Sequence, residues 1–326
     1  MSSSRARSSP DPIGRPGALR GRASDALAVA GPDALRAALA GVRAVLLDLD
    51  GVLSLKGRAI PGAAEALSTL DRLDVPYRVA TNTSLVSRST LARSLAERGI
   101  PVPPDRLLTA LSAAAAWTAQ RHPGEPLYVL ASDDARTEFA GQRLLDHEAA
   151  ARPGASAAAV VIGDSPEELS WANLDRAFRL VRGGAELVAM HRNPWWLTPD
   201  GPTIDSGAFV AALEYATGVR AVVVGKPARP FFRAAVRTLG EVVGRRRLAS
   251  RDVVMVGDDA TTDIAGAHRA GLRAIFVLTG KQTLEDVAGA ARRSRLARPD
   301  AVAASVADVV RALVAGTGAA RRPGGE

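Results

Sequence analysis

Residues 44–52 read Ala44-Val45-Leu46-Leu47-Asp48-Leu49-Asp50-Gly51-Val52, four apolar residues that run into two carboxylates one residue apart and then a glycine. A short apolar run bounded by turn-forming residues is the pattern of a buried strand. Three further stretches have the same form. Tyr77-Arg78-Val79-Ala80 leads into Thr81-Asn82-Thr83-Ser84, Ala221-Val222-Val223-Val224 into Gly225-Lys226-Pro227, and Val253-Val254-Met255-Val256 into Gly257-Asp258-Asp259, with Asp263 five residues beyond Asp258. In an open parallel sheet the carboxyl ends of the strands border one crevice. The four segments are therefore expected to project carboxylates, a hydroxyl and an ammonium into a single site.

Around them, short apolar runs alternate with amphipathic segments, the sequence form of βαβ units. Further strands are expected at Leu127–Leu130, Ala159–Ile162, Leu187–Met190 and Ala274–Leu278, and helices over 62–73, 87–98, 104–120, 166–182, 207–217, 227–239, 264–270 and 302–313. Ser165 and Glu168 have the spacing of a capping box and Gly183 that of a helix stop. Residues 1–23 are rich in Ser, Arg, Pro and Gly and read as a disordered basic tail ahead of a short lead-in helix, the two together spanning 1–40. Residues 316–326 read as a flexible C-terminus.

A chain of 326 residues is long enough for about two domains. Apolar residues make up 47%, charged residues 23%, and mean hydropathy is +0.04, the values of an ordinary globular protein. The longest apolar stretches, such as Ala157–Ile162, fall far short of the roughly 20 residues that span a bilayer, and no secretory leader is recognisable, so a cytoplasmic protein without membrane association is expected. The absence of cysteine excludes disulfides, thiolate metal sites and thiol nucleophiles. The net charge of +8 suggests nucleic acid, but residues 1–25 hold five Arg and two Asp and residues 321–326 two Arg and one Glu, so the ends supply half of it. The local clusters Arg245–Arg247 and Arg292–Arg298 lack interleaved aromatics, and aromatic residues are only 4% of the chain, so no nucleic-acid partner is expected.

The chemistry of the converging segments is specific. Carboxylates brought within a few ångströms repel one another unless a hard cation lies between them. Asp48, Asp258 and the backbone carbonyl of Asp50 are the oxygen ligands Mg²⁺ accepts, with waters and a substrate phosphate completing an octahedron. No His or Cys cluster suggests zinc. A phosphoryl group at that position would be held by the Thr81 hydroxyl, the backbone N–H groups after it, including that of Thr83, and the Lys226 ammonium. One Asp carboxylate can attack phosphorus, and the second, two residues on, can protonate the leaving oxygen and then deprotonate water. Each segment taken alone is an ordinary turn or helix cap; their joint occurrence in this order is what turn chemistry does not predict.

Asp48-Leu49-Asp50-Gly51-Val52, Thr81-Asn82, Lys226-Pro227 and Gly257-Asp258-Asp259 with Asp263 resemble the four motifs of the haloacid dehalogenase superfamily. The 144 residues between Thr81 and Lys226 are similar to the α/β cap of the NagD-like subclass IIA. Thr81-Asn82-Thr83-Ser84, the run from Phe209 to Gly218 and Thr279-Gly280-Lys281 resemble the branch that contains phospholysine phosphohistidine inorganic pyrophosphate phosphatase. The resemblance implies a Rossmann-like parallel-sheet core over 41–100 and 219–315 with a smaller α/β cap domain inserted over 101–218. It implies Asp48 as nucleophile and magnesium ligand, Asp50 as acid/base and carbonyl ligand, and Asp258 as the remaining ligand. Thr81 and Asn82 would hold the phosphoryl group, Lys226 would neutralise it, and Asp263 would orient Lys226 or a metal-bound water. Asp259 would support the site from behind or only cap a helix.

Specificity is expected from the cap loop His191-Arg192-Asn193-Pro194-Trp195-Trp196, with His191 and Arg192 as candidate substrate contacts and the two Trp packing the cap core. His122, His147 and His268 are expected at the surface, and Lys56 and Lys281 in solvent. The function expected is a Mg²⁺-dependent phosphatase acting on a small phosphorylated metabolite through an aspartyl-phosphate. A phosphomutase using the same Asp pair and a non-enzymatic phosphate-binding protein are the alternatives. The resemblance also implies a homodimer formed through the cap.

Overall fold

The computed structural model describes residues 27–198, 200–242 and 248–320; the basic tail over 1–23, Arg245–Arg247 and the last six residues lie outside them. α1 (Pro32–Ala38) precedes β1 (Ala44–Leu47), a tight hairpin of β2 (Ser54–Leu55) and β3 (Arg58–Ala59), α2 (Ala63–Arg72), β4 (Tyr77–Thr81), α3 (Arg88–Glu97) and β5 (Leu107–Thr109). There follow α4 (Ala110–Arg121), β6 (Pro126–Leu130), α5 (Asp133–Arg136), β7 (Arg143–Leu144), α6 (His147–Ala151), β8 (Ala159–Ile162), α7 (Trp171–Arg182) and β9 (Glu186–Ala189). A hairpin of β10 (Trp195–Thr198) and β11 (Gly201–Ile204), then α8 (Ser206–Thr217) and β12 (Val222–Val223), complete that unit. The chain returns through α9 (Arg229–Val242) to β13 (Val253–Gly257), α10 (Ala265–Arg269), β14 (Arg273–Val277), α11 (Leu284–Arg293), β15 (Ala301–Ala303) and α12 (Val306–Ala320).

Two parallel sheets organise these elements. The core sheet has the order β15-β14-β13-β1-β4-β5 and the cap sheet β12-β9-β8-β6-β7. Because side chains alternate across a strand, Val45 and Leu47 of β1 pack with α2, α3 and α12 on one face. Ala44 and Leu46 pack with Phe231 and Phe232 of α9 and with α10 and α11 on the other. Both faces are covered, which is why these strands read as unbroken apolar runs. The cap repeats the scheme, with α4 against Val129, Val161 and Val188 and α7 and α8 against Leu130, Val160 and Ile162. In the core the chain adds β4 and β5 on one side of β1 and β13 to β15 on the other. The order therefore reverses between β1 and β13, which opens a crevice at their carboxyl ends.

Several expectations are corrected. β5 pairs with β4, so the core extends past residue 101 to Thr109, and β12 pairs with β9, so the cap extends past residue 218 to Val223. β5, of three residues, is too short to announce itself as an apolar run, whereas β12 lies within the strand expected at Ala221–Val224 but joins the cap sheet. The helix expected over 104–120 is instead a 3₁₀ turn, β5, and then α4, which starts where Thr109 and Ser112 cap each other. α7 is capped by Ser170 rather than by the Ser165 box, and ends at Gly183 as its sequence suggests. Val302 lies in β15, and α12 runs from Val306 to Ala320, into the stretch expected to fray, despite two glycines.

The histidines expected at the surface all have partners. His122 meets Glu186 at 3.1 Å. His147 meets the Tyr128 hydroxyl at 3.0 Å and Glu168 at 3.0 Å. His268 meets the Leu296 carbonyl at 2.8 Å and Asp300 at 3.2 Å, tying α10 to the start of β15. Burial disfavours the His268 imidazolium, but Asp300 and the Leu296 carbonyl outweigh it and raise its pKa. Burial likewise opposes the Asp300 carboxylate, while His268 and the Ala274 N–H lower its pKa. A raised histidine stabilises the fold below its unfolded pKa of about 6.5 and ceases to as pH climbs through the folded value; a lowered aspartate does so only above about 4. Asp300→Asn, which keeps an acceptor for Ala274, should therefore destabilise most between about pH 4.5 and 6.5 and much less near pH 9. Urea unfolding of wild type and variant at about pH 5.5 and at about pH 9 measures it, and equal destabilisation at both would refute the coupling.

Candidate active site

Asp48 follows β1 and Asp258 follows β13, one on each side of the point where the strand order reverses. Their ligand oxygens and one of Asp263 all lie within 4.8 Å of one another. Lys226 Nζ sits between two of the three, 2.7 Å from Asp48 Oδ1 and 2.8 Å from Asp263 Oδ1, and the lysine is only 3% exposed. Asp48 Oδ1 also accepts the Leu49 N–H at 2.7 Å. Asp50, two residues on, stands exposed in the tight turn that closes where Gly51 N–H meets the Ser54 carbonyl at 2.7 Å. Segments 178 residues apart thus meet as the strand-end argument requires, with one difference. Lys226 comes from the end of β12, which belongs to the cap sheet, so only three of the four segments leave strands of the core sheet.

Beside these groups, Thr81 Oγ1 shares a hydrogen bond of 2.9 Å with Thr83 Oγ1 and accepts the Thr83 N–H at 3.1 Å, which folds the segment into a turn. The Asn82 side chain does not point at the carboxylates. It clamps the lysine backbone, donating from Nδ2 to the Lys226 carbonyl at 3.0 Å and accepting the Lys226 N–H on Oδ1 at 2.8 Å. Asn82 thereby fixes the start of the lysine side chain.

Asp258 rests in a cradle of backbone. Lys281 N–H donates to its Oδ2 at 2.9 Å, and a Cβ added at Gly51 or at Gly280 would overlap its carboxyl group. Thr279 closes the cradle by donating to the Gly51 carbonyl at 2.6 Å. Asp259 turns away: Oδ1 accepts the N–H groups of Thr261 and Thr262, capping a π-helical turn, and Oδ2 pairs with Lys281 Nζ at 3.0 Å. Lys281 is therefore engaged, not merely solvated. Thr279, Gly280 and Lys281 follow the end of β14, so the strand-end rule applied to that fifth run would have found them.

Burial raises the pKa of Asp48 to about 6, with Asp258 adding to it and Lys226 opposing. Burial and the nearby Asp263 raise Asp258 to about 7. Burial and Asp48 raise Asp263 to about 8 against the pull of Lys226. Lys226 is disfavoured by burial, yet Asp263 and Asp48 hold it firmly protonated. One lysine among three buried carboxylates leaves excess negative charge, and the donors are all oxygen. A hard divalent cation fits that cluster.

The two Trp differ from expectation, and His191 and Arg192 have partners within the cap. His191 is 1% exposed, and its Nε2 lies 2.9 Å from Asp164 Oδ2. Arg192 is drawn onto α8, where Nη2 bonds Glu214 Oε2 at 2.6 Å. Trp195 and Trp196 are about half exposed on the β10–β11 hairpin instead of filling the cap core.

Residues 45–144 match the haloacid dehalogenase-like hydrolase family, and residues 223–309 a second family of HAD-hydrolase-like proteins. Haloacid dehalogenase-like hydrolase domain-containing protein 2 from Bos taurus is 38% identical over 245 residues, 75% of this chain and 87% of that protein. The chain belongs to the haloacid dehalogenase-like hydrolases. Phospholysine phosphohistidine inorganic pyrophosphate phosphatase from Homo sapiens is 35% identical over 249 residues, 74% of this chain and 85% of that protein. Among solved structures, glycerol phosphate phosphatase from Mycobacterium tuberculosis in complex with magnesium superposes with a TM-score of 0.71 at 29% identity, covering 82% of this chain and 76% of that one.

The cradle gives a direct test of the metal. In Gly280→Ala the new methyl group must displace the Asp258 carboxylate. The variant should need at least about tenfold more divalent cation for half-saturation of binding calorimetry or of turnover, with the unfolding midpoint little changed. An unaltered cation requirement would remove Asp258 from the candidate ligands.

Proposed function

We propose that this haloacid dehalogenase-like hydrolase is a magnesium-dependent phosphatase of small phosphorylated metabolites that works through an aspartyl-phosphate on Asp48. The observation that carries the proposal is the buried ammonium of Lys226 held between Asp48 and Asp263, with Asp258 in the same cluster. Asp48, the Asp50 carbonyl and Asp258 would hold the cation. When bound, it would neutralise charge on the carboxylates and on the phosphate oxygens and polarise the phosphorus.

The chain's own residues supply the rest. Lys226 and the Leu49 N–H fix Asp48 through Oδ1, and no hydrogen bond among the described residues falls on Oδ2. That oxygen attacks phosphorus, an Asp–O–P bond forms, and the bond from phosphorus to the leaving oxygen breaks. Asp50 gives the leaving oxygen its proton, then takes one from water as the water attacks the phosphorus of the aspartyl-phosphate. Inorganic phosphate departs and Asp48 is restored. Thr81 and the turn N–H groups toward Thr83 hold the equatorial oxygens, with Lys226 offsetting their charge. Asn82 serves by clamping Lys226, and Asp263 by holding its ammonium. Asp259 maintains the turn that carries Asp258 and Asp263.

Two of the named relatives carry phospholysine, phosphohistidine, inorganic pyrophosphate and glycerol phosphate in their names, so the panel that tests the proposal spans P–O monoesters, P–N compounds and pyrophosphate. Phosphate release with magnesium is expected for at least one member, and chelation of the metal should abolish it. Asp48→Asn should lower kcat by at least about a thousandfold while circular dichroism and unfolding midpoint stay near wild type. Wild-type-like turnover in that variant would eliminate the nucleophile, and substrate consumption with retained phosphoryl groups would indicate a mutase.

A further inference from the structure

Outside the carboxylate cluster, the described residues contain a second concentration of ionisable groups, the buried His191 and Asp205 with the partly exposed Asp164. It sits where cap meets core. Ser84, fully buried and only three residues past Thr81, donates its hydroxyl to Asp164 Oδ2 at 2.6 Å and accepts the Asp164 N–H at 3.0 Å. These residues are 80 apart in sequence, one in the turn after β4 and the other just past the end of β8 in the cap.

The ring of His191 is oriented by the Asn193 N–H, which donates to Nδ1 at 3.3 Å. The proton is thus left on Nε2, which donates to Asp164 Oδ2 at 2.9 Å. A nitrogen committed in this way is a poor metal ligand, so the cluster is better read as a hydrogen-bond network than as a metal centre. On its other side Asp164 Oδ1 accepts the Ser206 N–H at 3.4 Å at the start of α8, whose N-cap Asp205 takes the same N–H at 2.7 Å. Burial and the adjacent Asp164 raise Asp205 to about 7, with His191 opposing. Burial also disfavours ionised Asp164, but His191, with help from Ser84, outweighs it and keeps Asp164 the ionised member.

We propose that Asp164 is a positioning residue for the phosphoryl-binding turn: held by His191 and the start of α8, its carboxylate grips Ser84 and so sets the Thr81–Thr83 segment from the cap side. The inference rests on the phosphatase reading, since it presumes that this turn holds phosphate. The turn is then fixed at two points. Asn82 ties it to the Lys226 backbone, and Ser84 ties it to Asp164. The cap contributes to the grip on the phosphoryl group itself, which every substrate shares.

The test compares Ser84→Ala, Asp164→Ala, Asp164→Asn and the double alanine variant in the full chain with magnesium, using p-nitrophenyl phosphate and a phosphosugar. Arg88→Ala is the control, because it removes a cap–core ion pair with Glu138 of 2.9 Å that does not reach the turn. Each single alanine variant should lose about tenfold in kcat/KM, by the same factor for both esters, and inorganic phosphate should inhibit more weakly by that factor. The double variant should fall within about twofold of either single one, since both remove one linkage. Asp164→Asn, whose amide oxygen still accepts from Ser84, should recover part of the loss, and it keeps the test open if an alanine variant fails to fold. Arg88→Ala should match wild type. A lowered unfolding midpoint with unchanged kcat/KM and phosphate inhibition overturns the proposal in favour of a structural role. Additive losses, or losses that depend on the ester, overturn it in favour of independent or substrate-contacting residues. Absence of any wild-type hydrolysis would instead bring down the phosphatase reading beneath it.

Discussion

A lysine ammonium buried to 3% exposure between Asp48 and Asp263 is the constraint on which the rest of the structure turns. Removing such a charge from water costs several kcal/mol, and only close, well-aligned carboxylates offset it. The alignment is supplied by elements with no local reason to meet: β1 presents Asp48, the π-helical turn after β13 presents Asp263, and Asn82 holds the lysine backbone from the end of β4. With Asp258 beside them the cluster carries more negative than positive charge. The fold has therefore built a place that is electrostatically incomplete, and an oxygen-seeking divalent cation is the simplest group to complete it.

The route by which Lys226 reaches the cluster joins the two sheets. Val224 and Gly225 donate their N–H groups to Ala189 and Met190 of the cap, and the next residue is the lysine. A Cβ on Gly225 would collide with both the Met190 carbonyl and the Asn82 side chain, so only glycine lets the strands and the clamp converge there. The ammonium is thus delivered by the last strand of the cap and received by carboxylates of the core. Any shift of the cap sheet relative to the core would move it, so the place of the ammonium depends on the packing between the two sheets.

What the sequence revealed and concealed follows from the range of the interactions involved. The strands that precede Asp48, Thr81 and Asp258 are buried on both faces, so their apolar runs were legible, and the reversal of strand order that brings them together follows from alternating βα units. β5 was not legible, because a strand of three residues differs little from the start of a helix; β12 was legible within the run Ala221–Val224, but its pairing with β9 in the cap sheet was not. The half-exposed pair Trp195 and Trp196 misled for a related reason: size suggests burial, but a two-stranded hairpin has only one neighbour to bury against. Lys281 was missed because its contacts with Asp258 and Asp259 come from a fifth strand end whose residues carry no carboxylate of their own.

His191 and Arg192 show the limit of assigning roles by chemical type. Both lie in a cap loop and both could touch an anionic substrate, yet the buried carboxylates nearby decide their use. Arg192 neutralises Glu214, which is 8% exposed and also receives the Ala221 N–H at 2.9 Å. His191 serves Asp164, which in turn holds Ser84. Glu214 is nearly closed to water, and leaving such an anion unpaired is costly. The pairing depends on residues 22 and 27 positions away in sequence, brought together only by the packing of α8 and β8, so no local pattern announces it. The groups in this loop best suited to bind anions are thus engaged by carboxylates of the cap itself.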